Sequence, residues 1–171
     1  MNTGQMALTI AAFMLLGIVM MNFRSLNFEN EEVLDTNEYT QKAIAIGRSL
    51  IEEIQEKPFD AVLNTKKIVK LEDLTACGPG SWESYPDNFN DMDDFHRQVF
   101  TSPELGDSLT TATPQCLRGT WGYTVRCDVR YVQDSNPTVS SYSRTWSKLV
   151  TLVITNEFSD EPVTMSYLAT H

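Results

Sequence analysis

The chain has 171 residues, with 13 Lys and Arg against 23 Asp and Glu, a formal charge of −10 and a pI near 4.5. That length accommodates one membrane helix plus one small domain and argues against a second folded domain. The acidity excludes nucleic acid as a partner, because phosphate neutralisation needs clustered Lys and Arg.

Residues 1–23 carry no charge, and Met6–Phe23 is a proline-free apolar run of 18 residues. Crossing a bilayer takes about 20 mostly apolar residues, with a lower limit near 17, so the run is just long enough. A secretory signal would show a basic stretch before the run and a small-residue cleavage site after it. Here no Lys or Arg precedes Arg24 and the flank reads Asn-Phe-Arg-Ser-Leu, so the run is read as retained. The missing basic residues are explained if a short basic leader has been removed and Met1 begins the mature chain.

Beyond the run, positions spaced at 100° place Tyr39, Ala43, Ile44, Ile46, Gly47, Leu50, Ile51 and Ile54 on one side of a helix. Gln41, Lys42, Arg48, Ser49, Glu52, Glu53, Gln55 and Glu56 fall on the other. That is an amphipathic helix with one buried face. Gly17, Asn22 and Ser25 are its weakest helix formers and the expected place for a bend. All seven prolines lie at residue 58 or later. The predicted organisation is therefore a long helix over 1–57, with a membrane part at 1–25 and an amphipathic part at 26–57, followed by a head over 58–171.

The head reads as β-rich. From Trp121 to Val132 apolar and polar residues alternate with period two, which predicts a half-buried strand with its aromatics in the core. Tyr142–Thr155 predicts a second long strand and Glu161–Leu168 a third, with Val163, Met165 and Tyr167 on one face. The connections at 134–138 and 156–160 carry turn residues and suit an antiparallel meander. Residues 71–119 break the pattern with Gly, Pro, Ser, Thr and Asp, and only short helical or extended pieces are expected near Asp93–Phe100. The fold class is thus α+β, with the amphipathic helix packed on an antiparallel sheet.

Few residues point to chemistry. Asp87, Asp91, Asp93 and Asp94 offer four carboxylates that can ligate Ca²⁺, but they lack EF-hand spacing, and the favoured reading is a solvated acidic turn capping a short helix near Asp93. His96 reads as a surface histidine, since no activated nucleophile accompanies it. Lys148, among apolar strand residues, is expected to snorkel at a sheet edge. No enzyme signature and no other cofactor site emerges. Three cysteines allow one disulfide: Cys127 falls on the apolar face of a strand and is expected free, which favours Cys77 with Cys116, while Cys116 with Cys127 stays open because connectivity is not encoded in spacing. Ser108, in a Ser/Thr-rich stretch before Pro114, is a candidate for O-linked sugar.

This layout, together with the segments Ala43–Asp60, Asp91–His96 and Trp146–Ile154, resembles the type IV pilin superfamily, in particular minor pilins and pseudopilins. Pilins usually carry Glu at the fifth mature position; here it is Gln5. The resemblance implies a subunit stored in the inner membrane, handled there by a pilus assembly machinery, and polymerised with copies of itself into an extracellular filament on the cell surface. Met1, Gln5, Leu8, Phe13, Leu16, Ile18, Met21 and Phe23 would be its assembly residues. Two alternatives are a minor pseudopilin of a type II secretion-like system and a membrane-anchored binding domain using the 71–119 loops.

Overall fold

A computed structural model describes residues 3–80, 83, 86–102, 114–118 and 120–171, without the side chains of 25–35, 87 and 160. The candidate glycosylation site Ser108, the terminal Met1 and the side chain of Asp87 lie outside what is described. The chain is α+β, as expected. Helix α1 spans Thr3–Glu56, and Gly17, Asn22 and Ser25 are all helical. Among the described residues there are five strands: β1 (Val99–Thr101), β2 (Tyr123–Gln133), β3 (Asn136–Ser140), β4 (Ser147–Asn156) and β5 (Ser159–Thr170).

Contacts divide the chain into two compact units, Met1–Glu38 and Tyr39–His171. The amphipathic part of α1 belongs with the head, because its apolar stripe completes the head's core. Within the second unit the sheet order is β1-β2-β4-β5, with β3 paired to β2, and every pairing is antiparallel. Ladder register explains which residues go inside. Tyr123, Val125, Cys127, Val129 and Tyr131 of β2 lie on one face, opposite Asn156, Ile154, Leu152, Val150 and Lys148 of β4. Successive strand residues point to opposite faces, so these rows form the core side, and β5 extends them with Val163, Met165 and Tyr167.

Ala43, Ile46, Leu50 and Ile54 of α1 close over that face and are buried. Gly47 sits at the tightest approach: a Cβ there would stand 2.4 Å from Met165 Sδ and 2.9 Å from Ile154 Cδ1. Glycine lets the helix lie directly on the sheet. At the helix's upper turn Tyr39 stacks on Phe158 at 5.5 Å, and the Tyr123 hydroxyl donates to the Tyr39 carbonyl at 3.2 Å.

Two expectations from alternation fail locally. Trp121 precedes β2 and is 41% exposed, packing on Phe158 at 5.0 Å instead of entering the core. Val132 falls on the polar phase of the pattern yet is fully buried, outside the cluster that Tyr131 joins. The connection at 134–138 also contributes strand β3, not only a turn.

Candidate functional site: an apolar helix surface and a buried charge cluster

In the first unit, Thr3–Arg24 forms a 22-residue helical segment with a mean hydropathy of 2.1, none of it buried. It is long and apolar enough to cross a membrane. Leu8, Phe13, Leu16, Ile18, Met21 and Phe23 are all exposed. Beyond its first turn the backbone is hydrogen-bonded within the helix, and Thr9 folds its hydroxyl back onto the Gln5 and Met6 carbonyls at 3.2 and 2.9 Å. Lipid or other apolar helices can therefore cover this stretch equally well.

In the head, the expected acidic turn is a buried structure. Asp91 caps a 3-10 helix, Met92–Phe95, through a capping box: its Oδ1 accepts from the Asp93 and Asp94 amides at 2.8 and 3.3 Å, and Asp94 Oδ2 accepts from the Asp91 amide at 3.2 Å. Asp91 Oδ2 also accepts from the Ala61 amide at 2.6 Å, and Asp94 Oδ2 from the Asn90 amide at 2.7 Å. Asn90 further donates its side-chain amide to Glu83. The capping part of the sequence reading holds. Solvation does not, since Asp91, Asp93 and Asp94 are all buried, as is every residue of the short helix. Phe95, wholly enclosed between Phe89 and Phe100, anchors it.

Among the described residues no group of three His, Cys, Asp or Glu could hold a metal. The calcium expectation for Asp91, Asp93 and Asp94 is therefore corrected. Both Asp91 oxygens and Asp94 Oδ2 accept from backbone amides, and Asp93 faces the Thr75 hydroxyl and the Lys148 ammonium, where a Ca²⁺ site needs six or more oxygens converging on one point.

Lys148 is the largest departure from the sequence reading. β4 lies between β2 and β5, so Lys148 has no edge from which to reach water, and it is fully buried on the core face opposite Tyr131. Its ammonium donates to the Phe59 carbonyl at 2.6 Å and sits 4.2 Å from the Phe59 ring centre and 4.9 Å from that of Tyr131. Asp93 Oδ1 is 2.7 Å away and Asp60 Oδ2 3.9 Å. Burying a lone cation is prohibitive, so the carboxylates, carbonyl and ring faces are what make this position tenable.

Asp60 is itself fully buried at the N-cap of a 3-10 helix, Ala61–Asn64. Its Oδ1 accepts from the Val62 amide at 3.0 Å, and its Oδ2 accepts from the Thr75 amide at 2.6 Å. The Thr75 hydroxyl lies 3.0 Å from Asp60 Oδ2 and 3.1 Å from Asp93 Oδ2. A hydroxyl has one proton to give, so it donates to one of these two oxygens at a time. Burial raises the Asp93 carboxyl from 3.8 to about 6, against the opposing pull of Lys148. Burial likewise raises Asp94 to about 7 and pushes Asp91 upward.

The cysteines are all free, so the expected Cys77–Cys116 bond is not formed. Cys77 lies beside Asp93 and Tyr131, whereas Cys116 is near Glu53; burial pushes both thiols up to about 12, with the neighbouring carboxylate adding to it. Thiols so protonated are poor nucleophiles. Cys127 is buried on the core face of β2, as expected, and burial raises its thiol further.

His96 is partly buried and structural: its Nδ1 accepts from the Val129 amide at 3.3 Å and lies 3.4 Å from Asp128 Oδ1. Beside it opens a cleft of about 850 Å³ lined by Cys77, His96, Arg97, Arg130, Tyr131, Tyr142 and Arg144, among others. Arg97 has φ 59, a left-handed conformation uncommon for a side chain of its size. Sequence reading missed this cleft because its residues come from four separated stretches.

Fold and site together define an α+β protein with a membrane-length apolar helix and an antiparallel-sheet head that contains a buried charge cluster. Comparison with protein families, curated proteins and solved structures finds no match.

Proposed function

We propose that the chain is a structural subunit of a type IV pilus-like extracellular filament, held in the inner membrane before assembly and polymerising through its apolar N-terminal helix. The observation that carries this reading is the segment Thr3–Arg24, uncharged up to Arg24 and with no residue of it buried. Exposed apolar surface of this extent needs a covering. Lipid and copies of the same helix are interchangeable coverings, which is what storage in a membrane followed by polymerisation requires. An antiparallel head closed by an amphipathic helix supports the same reading.

Leu16→Arg tests it. A charge at the centre of a membrane helix costs about 3 kcal/mol on insertion and more in a dry helix bundle. Surface fibres containing the chain should disappear while the head stays folded by circular dichroism. Undiminished fibres would reject polymerisation through this helix.

A second reading, a membrane-anchored binding domain, is favoured by the arginine-lined cleft. It is separated by the double variant Arg97→Ala, Arg144→Ala, which a filament subunit tolerates in assembly and a binding domain does not tolerate in function.

A further inference from the structure

Lys148 and Asp93 are arranged for more than an ion pair. Lys148 Nζ stands 2.7 Å from Asp93 Oδ1, yet Oδ1 has no hydrogen-bond partner of acceptable geometry among the described residues. The nitrogen therefore lies close to the carboxyl group but off the directions a hydrogen bond uses. Both side chains are at most 2% exposed, and the Phe59 and Tyr131 rings exclude water from the nitrogen. A second carboxylate, Asp60, is 3.9 Å from Nζ, and the Thr75 hydroxyl connects Asp60 Oδ2 to Asp93 Oδ2.

We propose that Lys148 and Asp93 condense into an intramolecular isopeptide bond, Nζ to Cγ, with Asp60 and Thr75 moving the protons. The Lys148 ammonium first passes one proton by way of Asp60 and the Thr75 hydroxyl to Asp93 Oδ2, giving an amine and a carboxylic acid in a site where separated charges are poorly solvated. The Nζ lone pair then bonds to Cγ, and the Cγ–Oδ1 π pair moves onto Oδ1. Asp60 takes a second proton from Nζ and returns it through the Thr75 hydroxyl to Oδ2. The π bond to Oδ1 re-forms, the Cγ–Oδ2 bond breaks, and Oδ2 leaves as water. One ammonium and one carboxylate become one amide and one water; no oxidant or cofactor enters. The third nitrogen proton remains, and the Phe59 carbonyl, already 2.6 Å from Nζ, is placed to accept it.

Three features favour the forward direction. Nucleophile and carbonyl are held together by the fold, which replaces a bimolecular encounter by an intramolecular one. Burial raises the Asp93 carboxyl to about 6, which brings its protonated, electrophilic form within reach near neutral pH. The pocket lacks bulk water to reverse the condensation. The product ties the central strand β4 to the buried 3-10 helix Met92–Phe95, closing a loop of the head covalently. The proposal stands on the head alone and does not depend on how the protein assembles.

Intact mass spectrometry of the full chain, purified folded and then denatured, tests it. The expected mass is one water below that of the same polypeptide without the bond, and tryptic digestion should yield a branched peptide joining Lys148 to Asp93, with no cleavage after Lys148. Lys148→Arg should restore the full mass. Asp60→Asn, which keeps the size of the side chain but cannot take the proton, should leave most chains at full mass while retaining the native circular dichroism spectrum. Asp93→Asn should lose ammonia in place of water. A folded wild-type chain at full mass, or a water loss that maps to any other pair of residues, overturns the proposal.

Discussion

Lys148 shows why a residue's role is decided by partners remote in sequence. Its neighbours along the chain are strand formers, and a lysine among them reads as a side chain seeking an edge. The residues that make its burial tenable, Phe59, Asp60, Asp93 and Tyr131, lie 17 to 89 positions away. No local pattern announces them. Removing one partner of a buried charge pair costs about 3–5 kcal/mol, so Lys148→Ala should lower the head's stability in urea by at least that amount, with loss of the proposed cross-link adding to it. Alanine at the exposed Arg126 should change it by under about 0.5 kcal/mol.

Asp94 gives a pH signature with a definite sign. Its carboxyl is raised from 3.8 to about 7, first by burial, against hydrogen bonds from the Asn90 and Asp91 amides that favour the anion. The folded head thus binds a proton at Asp94 more readily than the unfolded chain does. Its contribution to stability is full below about pH 4 and is lost as pH rises through about 7. One pKa unit corresponds to about 1.4 kcal/mol, so the span amounts to a few kcal/mol. Asp94→Asn cannot titrate, and the difference in unfolding free energy between wild type and this variant should slope over that window. A flat difference would show that the carboxyl titrates alike in both states.

The long elements were legible in the sequence and the short ones were not. The 3.6-residue period locates the buried stripe of α1, and the period-two alternation locates β2, β4 and β5 within a few residues, because each repeats its signal over ten or more positions. β1 has three residues and β3 five, too few to establish a period. The capping box at Asp91 was half legible: a cap near Asp93 was readable, but burial of the turn follows from Phe95 fitting between Phe89 and Phe100. Gly47 makes the packing of α1 on the sheet testable. Alanine there should gain about 1 kcal/mol in helix propensity, but its Cβ would meet Met165 and Ile154 at 2.4 and 2.9 Å, and overpacking costs about 1–3 kcal/mol. Gly47→Val, larger still and a weaker helix former, should destabilise the head by at least 2 kcal/mol or so, measured by thermal or urea unfolding.

At the scale of the whole chain, composition drew the border at Lys57-Pro58, where prolines begin. The compact units divide instead at Glu38 and Tyr39, because a core is defined by what it buries and the stripe from Ala43 to Ile54 is buried in the head. No residue of the apolar segment Thr3–Arg24 is buried among the described residues. This contrast separates the helix residues that stabilise a fold from those the fold leaves exposed. Leu50, fully buried, and Leu16, half exposed, differ in this way although both are leucines on one helix.

The most direct test of the filament reading is the protein composition of fibres sheared from the cell surface, determined by mass spectrometry with N-terminal sequencing of the intact chain. A filament subunit should dominate those fibres and be depleted from the membrane fraction when fibres are abundant. Recovery of this chain only as a membrane-held monomer, with fibres absent or built from other proteins, would contradict the account.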